Sequence, residues 1–183
     1  MRIGDADSLP LPPLANFFDY CRSEIRADWM DIFLLASCRF MLGTNSGPCF
    51  VPPLYGNPVV LTNWLPPGMR PWHASDIFVP KLLKRKANGG YLTLSQTLHE
   101  PLSHCHSQRY LAEYEGLTVQ DTDAELIRGA VTEMLSRVDG NPGLDDDLAG
   151  LRARADRTYQ EHGNFGMAVL ARDFLRRHGD LIA

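Results

Sequence analysis

Three observations predict an α/β chain with a parallel sheet flanked by helices. Two short, nearly uninterrupted apolar runs, Phe40-Met41-Leu42 and Val59-Val60-Leu61-Thr62, read as strands buried on both faces. The segment between them is long enough for a crossover, which favours parallel pairing with a right-handed connection. The last third of the chain carries helical rather than alternating spacing, which predicts a helical C-terminal extension.

The elements follow in order. Met1-Arg2-Ile3-Gly4-Asp5 reads as the end of a strand running into a Gly-Asp turn, so a chain truncated at its start is expected. Residues 6 to 28, with Pro10, Pro12 and Pro13, read as a loop with a brief extended piece at 18 to 20. Asp28 is placed to cap a helix in which Trp29, Ile32, Phe33 and Ala36 follow the i, i+3, i+4, i+7 pattern of one packed face. After the strand at 40 to 42, Gly43-Thr44-Asn45-Ser46-Gly47-Pro48 forms a polar turn that opens a helix, with Ser46 or Gly47 at the N-cap and Pro48 in the first turn. Pro52 and Pro53 shorten or distort that helix, and Gly56-Asn57-Pro58 stops it before the second strand.

Residues 63 to 86 read as a long loop rich in Trp, Pro and Arg, containing one strand, Ile77-Phe78-Val79. The basic run Lys81 to Lys86 reads as solvated surface, turned back at Asn88-Gly89-Gly90 into Tyr91-Leu92-Thr93-Leu94. The clearest helix lies within 118 to 137, capped by Asp121 or Thr122 and lined by Leu126, Ile127, Ala130, Val131, Met134 and Leu135. A turn at Gly140 to Gly143 ends it, and two amphipathic helices, 144 to 162 and 165 to 178, are broken by Gly163-Asn164. The predicted division is residues 1–137 as one domain and 138–183 as the extension.

Composition removes several function classes. The chain has 183 residues, 44% hydrophobic and 22% charged, the profile of a folded globular protein. A net charge of −4 gives no reason to expect nucleic acid as a partner. The apolar runs fall far short of the roughly 20 residues that cross a bilayer. The acidic N-terminus carries no secretory or transit signal, so a cytoplasmic location, or a peripheral one at the inner membrane, is expected. Cys21, Cys38, Cys49 and Cys105 are scattered and contain no C-x-x-C pair, so they read as free thiols. His104-Cys105-His106 cannot converge on one ion without a second ligand pair, and His99-Glu100 is followed by Ser103 where H-E-x-x-H needs histidine. No metal and no cofactor is expected.

In parallel sheets ligands sit outside the carboxyl ends of the strands, and the Gly43 to Pro48 turn occupies that place. A helix starting there offers unpaired backbone amides and a positive dipole end, which suit a phosphate or diphosphate. Ser46 adds a hydroxyl, Thr44 and Asn45 orient it, and Gly47 leaves room for close approach. The turn matches neither G-x-x-x-x-G-K-[ST] nor G-x-G-x-x-G. An ordinary capped helix with Gly and Pro at its boundary fits the same residues.

The run from Met30 to Pro48, continued by Val51-Pro52-Pro53-Leu54-Tyr55-Gly56-Asn57-Pro58-Val59-Val60-Leu61-Thr62-Asn63-Trp64, resembles a family of bacterial proteins described as glycosyltransferases. It is similar, more loosely, to the donor-binding C-terminal half of GT-B glycosyltransferases and to UDP-GlcNAc 2-epimerases. The resemblance runs from Met1-Arg2-Ile3-Gly4-Asp5 to about Arg137 and takes in Arg70-Pro71-Trp72-His73-Ala74-Ser75-Asp76 and Glu100-Pro101. It implies a Rossmann-like sheet, a nucleotide-diphosphate sugar donor, a glycan or lipid acceptor, and an N-terminal partner half that 183 residues cannot also hold. Where relatives often place a Glu after the Ser-Gly turn, Cys49 to Tyr55 has no acid.

On this expectation Thr44, Asn45, Ser46, Gly47 and Pro48 grip the diphosphate, and Arg70 neutralises the charge that grows on the leaving group. His73 serves acid/base chemistry and Asp76 contacts hydroxyls. Arg2 pairs with a phosphate and Asp5 with an acceptor hydroxyl, while Asn63 and Trp64 end the second strand where Trp64 can stack on a base or sugar. Glu100 takes the ribose in place of the missing acid. Two other readings use the same turn: a non-catalytic module that binds nucleotide sugar or phosphate, and a nucleotide-sugar epimerase.

Overall fold

The computed structural model describes residues 1–5, 7, 9–141, 143 and 146–182. Four strands, β1 (Met41–Gly43), β2 (Val59–Trp64), β3 (Ile77–Pro80) and, from the far end of the chain, β6 (Val169–Leu170), form one parallel sheet in the order β1-β2-β3-β6. Met41 pairs with Val59, Val60 with Ile77, and Ile77 with Val169, so the strands share a direction and the sheet has distinct amino and carboxyl ends. β2 and β3 are apolar without alternation because both their faces are covered, as the sequence predicts.

The covering helices are α5 (Ala124–Val138), α6 (Ala149–Glu161) and α7 (Arg172–His178). α5 presents Leu126, Ala130 and Met134 to β2 and β3, and the Tyr159 ring of α6 meets Phe78 edge-on at 6.3 Å. Val59, Val60, Ile77, Phe78 and Val79 are completely enclosed. Each such side chain contributes about 1.5–3 kcal/mol by leaving water.

Two expectations are corrected here, and a third falls outside the described residues. Residues 165 to 178 are not one helix: Val169 and Leu170 are the fourth strand of the sheet, and α7 starts after it. The expected boundary at Arg137 separates nothing, because Ala155, Tyr159, Ala168, Leu170, Phe174 and Leu175 share one core with β2 and β3. The start expected for a helix at Leu144 lies outside the described residues.

The basic run is also a strand. β4 (Leu82–Arg85) pairs antiparallel with β5 (Leu117–Gln120), burying Leu83 and Leu117 with Leu65, Leu92 and Leu111 in a second, smaller core while Arg85 is exposed. Between these strands lie α3 (Leu94–Thr97), closed by a capping box from Thr93 and Gln96, and α4 (Gln108–Glu113), capped by Ser107. α5 starts at Ala124, with the Asp123 carboxylate accepting from the Leu126 amide at 2.9 Å, one residue beyond Thr122 and two beyond Asp121, the expected caps.

The helix α1 (Asp28–Ser37) forms where predicted, with Asp28 inside its first turn rather than at the cap. Its expected packed face is outward: Trp29, Ile32 and Phe33 are 66%, 47% and 55% exposed, and Leu35 is the residue it buries. Leu42 on the edge strand β1 and Phe50, Leu54 and Tyr55 beyond it are exposed as well. Among the described residues no helix is long and apolar enough to cross a membrane.

Candidate functional site

β1 ends at Gly43, and Thr44 to Pro48 follow as an exposed turn at the carboxyl end of the sheet. Ser46 is extended (φ −142°, ψ 152°) and precedes a 3-10 turn, Gly47–Phe50, which passes into one α-helical turn, α2 (Val51–Leu54). Pro52 and Pro53 fall in that last turn and cut it short, as expected. Two four-residue pieces align too few peptides for a useful dipole, so the dipole part of the anion expectation is withdrawn.

The turn is shaped from beneath. The buried Cys49 thiol donates to the Thr44 carbonyl at 2.9 Å, the Cys49 amide donates to the Ser46 carbonyl at 3.0 Å, and burial pushes the thiol's pKa up. A Cβ on Gly43 would lie 2.3 Å from Cys49 Sγ, so close approach requires glycine there. Asn45 braces the turn to the end of β2: its Oδ1 accepts from the Leu65 amide at 3.3 Å, and its Nδ2 donates to the Leu65 carbonyl. This amide is spent on the fold rather than free to orient a ligand. Above the turn there is open space, with nothing within 4 Å of a Cβ built on Gly47. Ser46 and Thr44 are exposed, and no described cavity is lined by residues 43 to 48.

The residues expected to act on a donor at this turn are elsewhere. Asp76 is buried at the amino end of the sheet, where its Oδ1 accepts from the amide of Val59, the first residue of β2, at 2.9 Å. Burial pushes the Asp76 carboxyl up, against the pull of that amide and of His73. Arg70 also lies toward the amino end: its Nε donates to the Ala168 carbonyl, just ahead of β6, at 2.7 Å. Nη2 reaches Asp156 at 2.6 Å, and the guanidinium sits 5.2 Å from the Tyr159 ring centre. β1 is three residues long, with Met41 level with Val59 and Gly43 with Leu61, so about 7 Å of strand separates the Val59 end, where Asp76 bonds, from the start of the turn. The exposed His73, three residues before Asp76 and with its carbonyl accepting the Asp76 amide, belongs to the amino end too. Arg70, His73 and Asp76 are therefore corrected away from the donor turn.

Other assignments change for the same reason. Trp64 is buried with its indole N–H donating to the Met69 carbonyl, so it anchors the following loop and cannot stack on a ligand. Asn63, in the left-handed region at φ 53°, exchanges hydrogen bonds with Thr122 (3.2 and 2.8 Å) and ties β2 to the start of α5. Arg2 spends its guanidinium on Asp19 (2.9 and 2.6 Å) and the Leu9 carbonyl (2.8 Å). Asp5 is exposed and accepts from the Asp7 amide, and Glu100 is exposed beside His104 at 3.3 Å. The structure thus keeps the Thr44 to Pro48 turn together and disperses the rest of the predicted set.

Sequence reasoning missed two clusters. At the carboxyl end of β3, a crevice of about 250 Å³ is lined by Tyr91, Gln120, Asp121, Asp123, Arg177 and His178 among others. Lys81 pairs there with Asp121 at 2.6 Å, and burial with neighbouring Arg177 pushes the His178 imidazole pKa down. The second cluster, on the flank near Arg70, has Trp72, His162 and Phe165. No local spacing marks either, since each joins segments far apart in sequence. Among the described residues no three His, Cys, Asp or Glu side chains are grouped to hold a metal ion.

Fold and site together define a mixed α/β protein with a Rossmann-like parallel sheet and an exposed polar turn at its carboxyl end. No family model matches the chain, and neither a curated protein nor a solved structure matches it.

Proposed function

We propose that this chain is the donor-binding half of a GT-B-like glycosyltransferase, which transfers a sugar from a nucleotide-diphosphate donor to a glycan or lipid acceptor. The observation that carries the reading is the Thr44 to Pro48 turn, exposed at the carboxyl end of the first strand with open space over Gly47. Ser46 and Thr44 offer hydroxyl donors to diphosphate oxygens, and Gly47 lets the ligand reach the backbone. A partner half closes the cleft from the β1 side, where Trp29, Ile32, Phe33, Leu42 and Phe50 present bare apolar surface.

Titration of the chain with UDP and GDP tests the reading. Ser46→Ala weakens binding by about 0.5–1.5 kcal/mol, one hydrogen bond. Gly47→Val weakens it further by blocking approach. Unchanged affinities in both variants overturn the proposal.

The separation of Arg70 and His73 from the turn favours a second reading, a non-catalytic module that binds nucleotide sugar. Heat protection by nucleotide sugar, with no transfer even after a matching N-terminal half is supplied, selects the module. Transfer after that addition selects the enzyme.

A further inference from the structure

We propose that the flank of the molecule carries a site for a neutral saccharide, in the cleft between the Gly68–Trp72 segment and the Gly163–Gly166 turn. The cleft measures about 330 Å³, within the range of small-molecule sites. Trp72 and Phe165 both line it, and they are 72% and 77% exposed. Single exposed aromatics need no explanation, but two large rings on one preformed cleft are a ready platform for the C–H faces of sugar rings.

The walls are held before any ligand arrives. Asn164 donates to the Gly68 carbonyl and accepts from the Gly166 amide at 3.2 Å; the Gly68 amide donates to the Ser103 carbonyl at 3.0 Å. A Cβ on Gly68 would lie 2.3 Å from the Ser103 carbonyl oxygen, and one on Gly166 would lie 2.3 Å from that of Arg70. Both segments therefore approach their neighbours as closely as backbone allows.

The polar groups select a hydroxylated, uncharged guest. His162 Nδ1 lies 2.8 Å from the Thr158 carbonyl, which can only accept, so Nδ1 carries a hydrogen and Nε2 is the ring's second polar atom. The His99 ring braces it, with centroids 4.9 Å apart. Arg70, whose side chain is 8% exposed, uses Nε and Nη2 within the protein and is one of the residues that line the cleft. Hydroxyls both donate and accept, and so suit an imidazole nitrogen and a guanidinium together. A phosphate finds no unspent charge: Arg70 is paired with Asp156, and His104 lies beside Glu100.

The site lies apart from the Ser46 turn and does not rest on the donor reading. The test is titration of the whole chain with cellotetraose, maltotetraose, chitotriose and mannotriose, read by saturation-transfer NMR and by tryptophan fluorescence. At least one of the four binds at millimolar concentration or below, and Trp72→Ala and Phe165→Ala each weaken it by about tenfold, the effect of one lost aromatic contact. Both variants keep the wild-type thermal midpoint because their side chains are exposed, while Ser46→Ala and Gly47→Val leave saccharide binding unchanged. Failure of all four sugars to bind overturns the proposal, as does equal binding by the Trp72→Ala/Phe165→Ala double variant. Trp72-dependent binding of uridine in place of every saccharide overturns it too.

Discussion

The two ends of the parallel sheet both hold polar side chains and use them differently. At the amino end, Asp76 and Arg70 are turned inward onto backbone groups of Val59 and Ala168. At the carboxyl end of β1, Thr44 and Ser46 stay in solvent above a turn fastened from below by Cys49 and Asn45. What marks Asp76 and Arg70 as closing the fold is the backbone group that claims each of them.

That contrast can be broken most forcefully at Asp76. Asp76→Ala leaves the buried Val59 amide without an acceptor and costs about 1–3 kcal/mol, with a further loss from the space vacated, measured by denaturant unfolding. Asp76→Asn keeps an acceptor oxygen and costs much less. Because burial raises the folded-state pKa of Asp76, the native protein holds a proton there that the unfolded chain has released. Stability therefore falls as pH rises from the ordinary carboxylate range through the raised value and is level above it. Asp76→Asn removes that fall from a series of unfolding curves.

Next in size is Gly43→Ala, whose methyl group is driven against Cys49 Sγ and costs about 1–3 kcal/mol of overpacking. Adding Cys49→Ala relieves the clash, so the double variant is more stable than the sum of the single effects predicts. The smallest effect is at Gly47, where valine meets open space and shifts stability by less than about 0.5 kcal/mol in the same assay. A large loss there would show that the turn is braced from above as well.

β2 and β3 were legible because strands covered on both faces read as apolar runs, whereas β1, an edge strand with Leu42 exposed, was legible only as an apolar run ahead of the Gly43 turn. The Gly43 to Pro48 turn was legible because glycine, proline and small polar residues punctuate it. β6 was hidden because two residues, Val169 and Leu170, carry no period of their own inside a stretch that also fits helical spacing. β4 was hidden by Lys84 and Arg85, charges that an antiparallel strand with one wet face tolerates. Asp76 and Trp64 were read as ligand contacts because carboxylates and indoles serve binding and core closure alike. Their burial is decided by the path of residues 65 to 76, which carries the chain from the carboxyl end of β2 back to the start of β3. The flank cleft joins residue 68 to residue 166, and no window along the chain contains both.

The outward face of α1 governs how the chain behaves on its own in solution. With Trp29, Ile32 and Phe33 bare beside the open edge of β1, molecules stick to one another increasingly as ammonium sulfate is added, since excluded salts strengthen apolar association. A mild nonionic detergent, or Ile32→Lys with Phe33→Glu, restores a sharp peak on a sizing column.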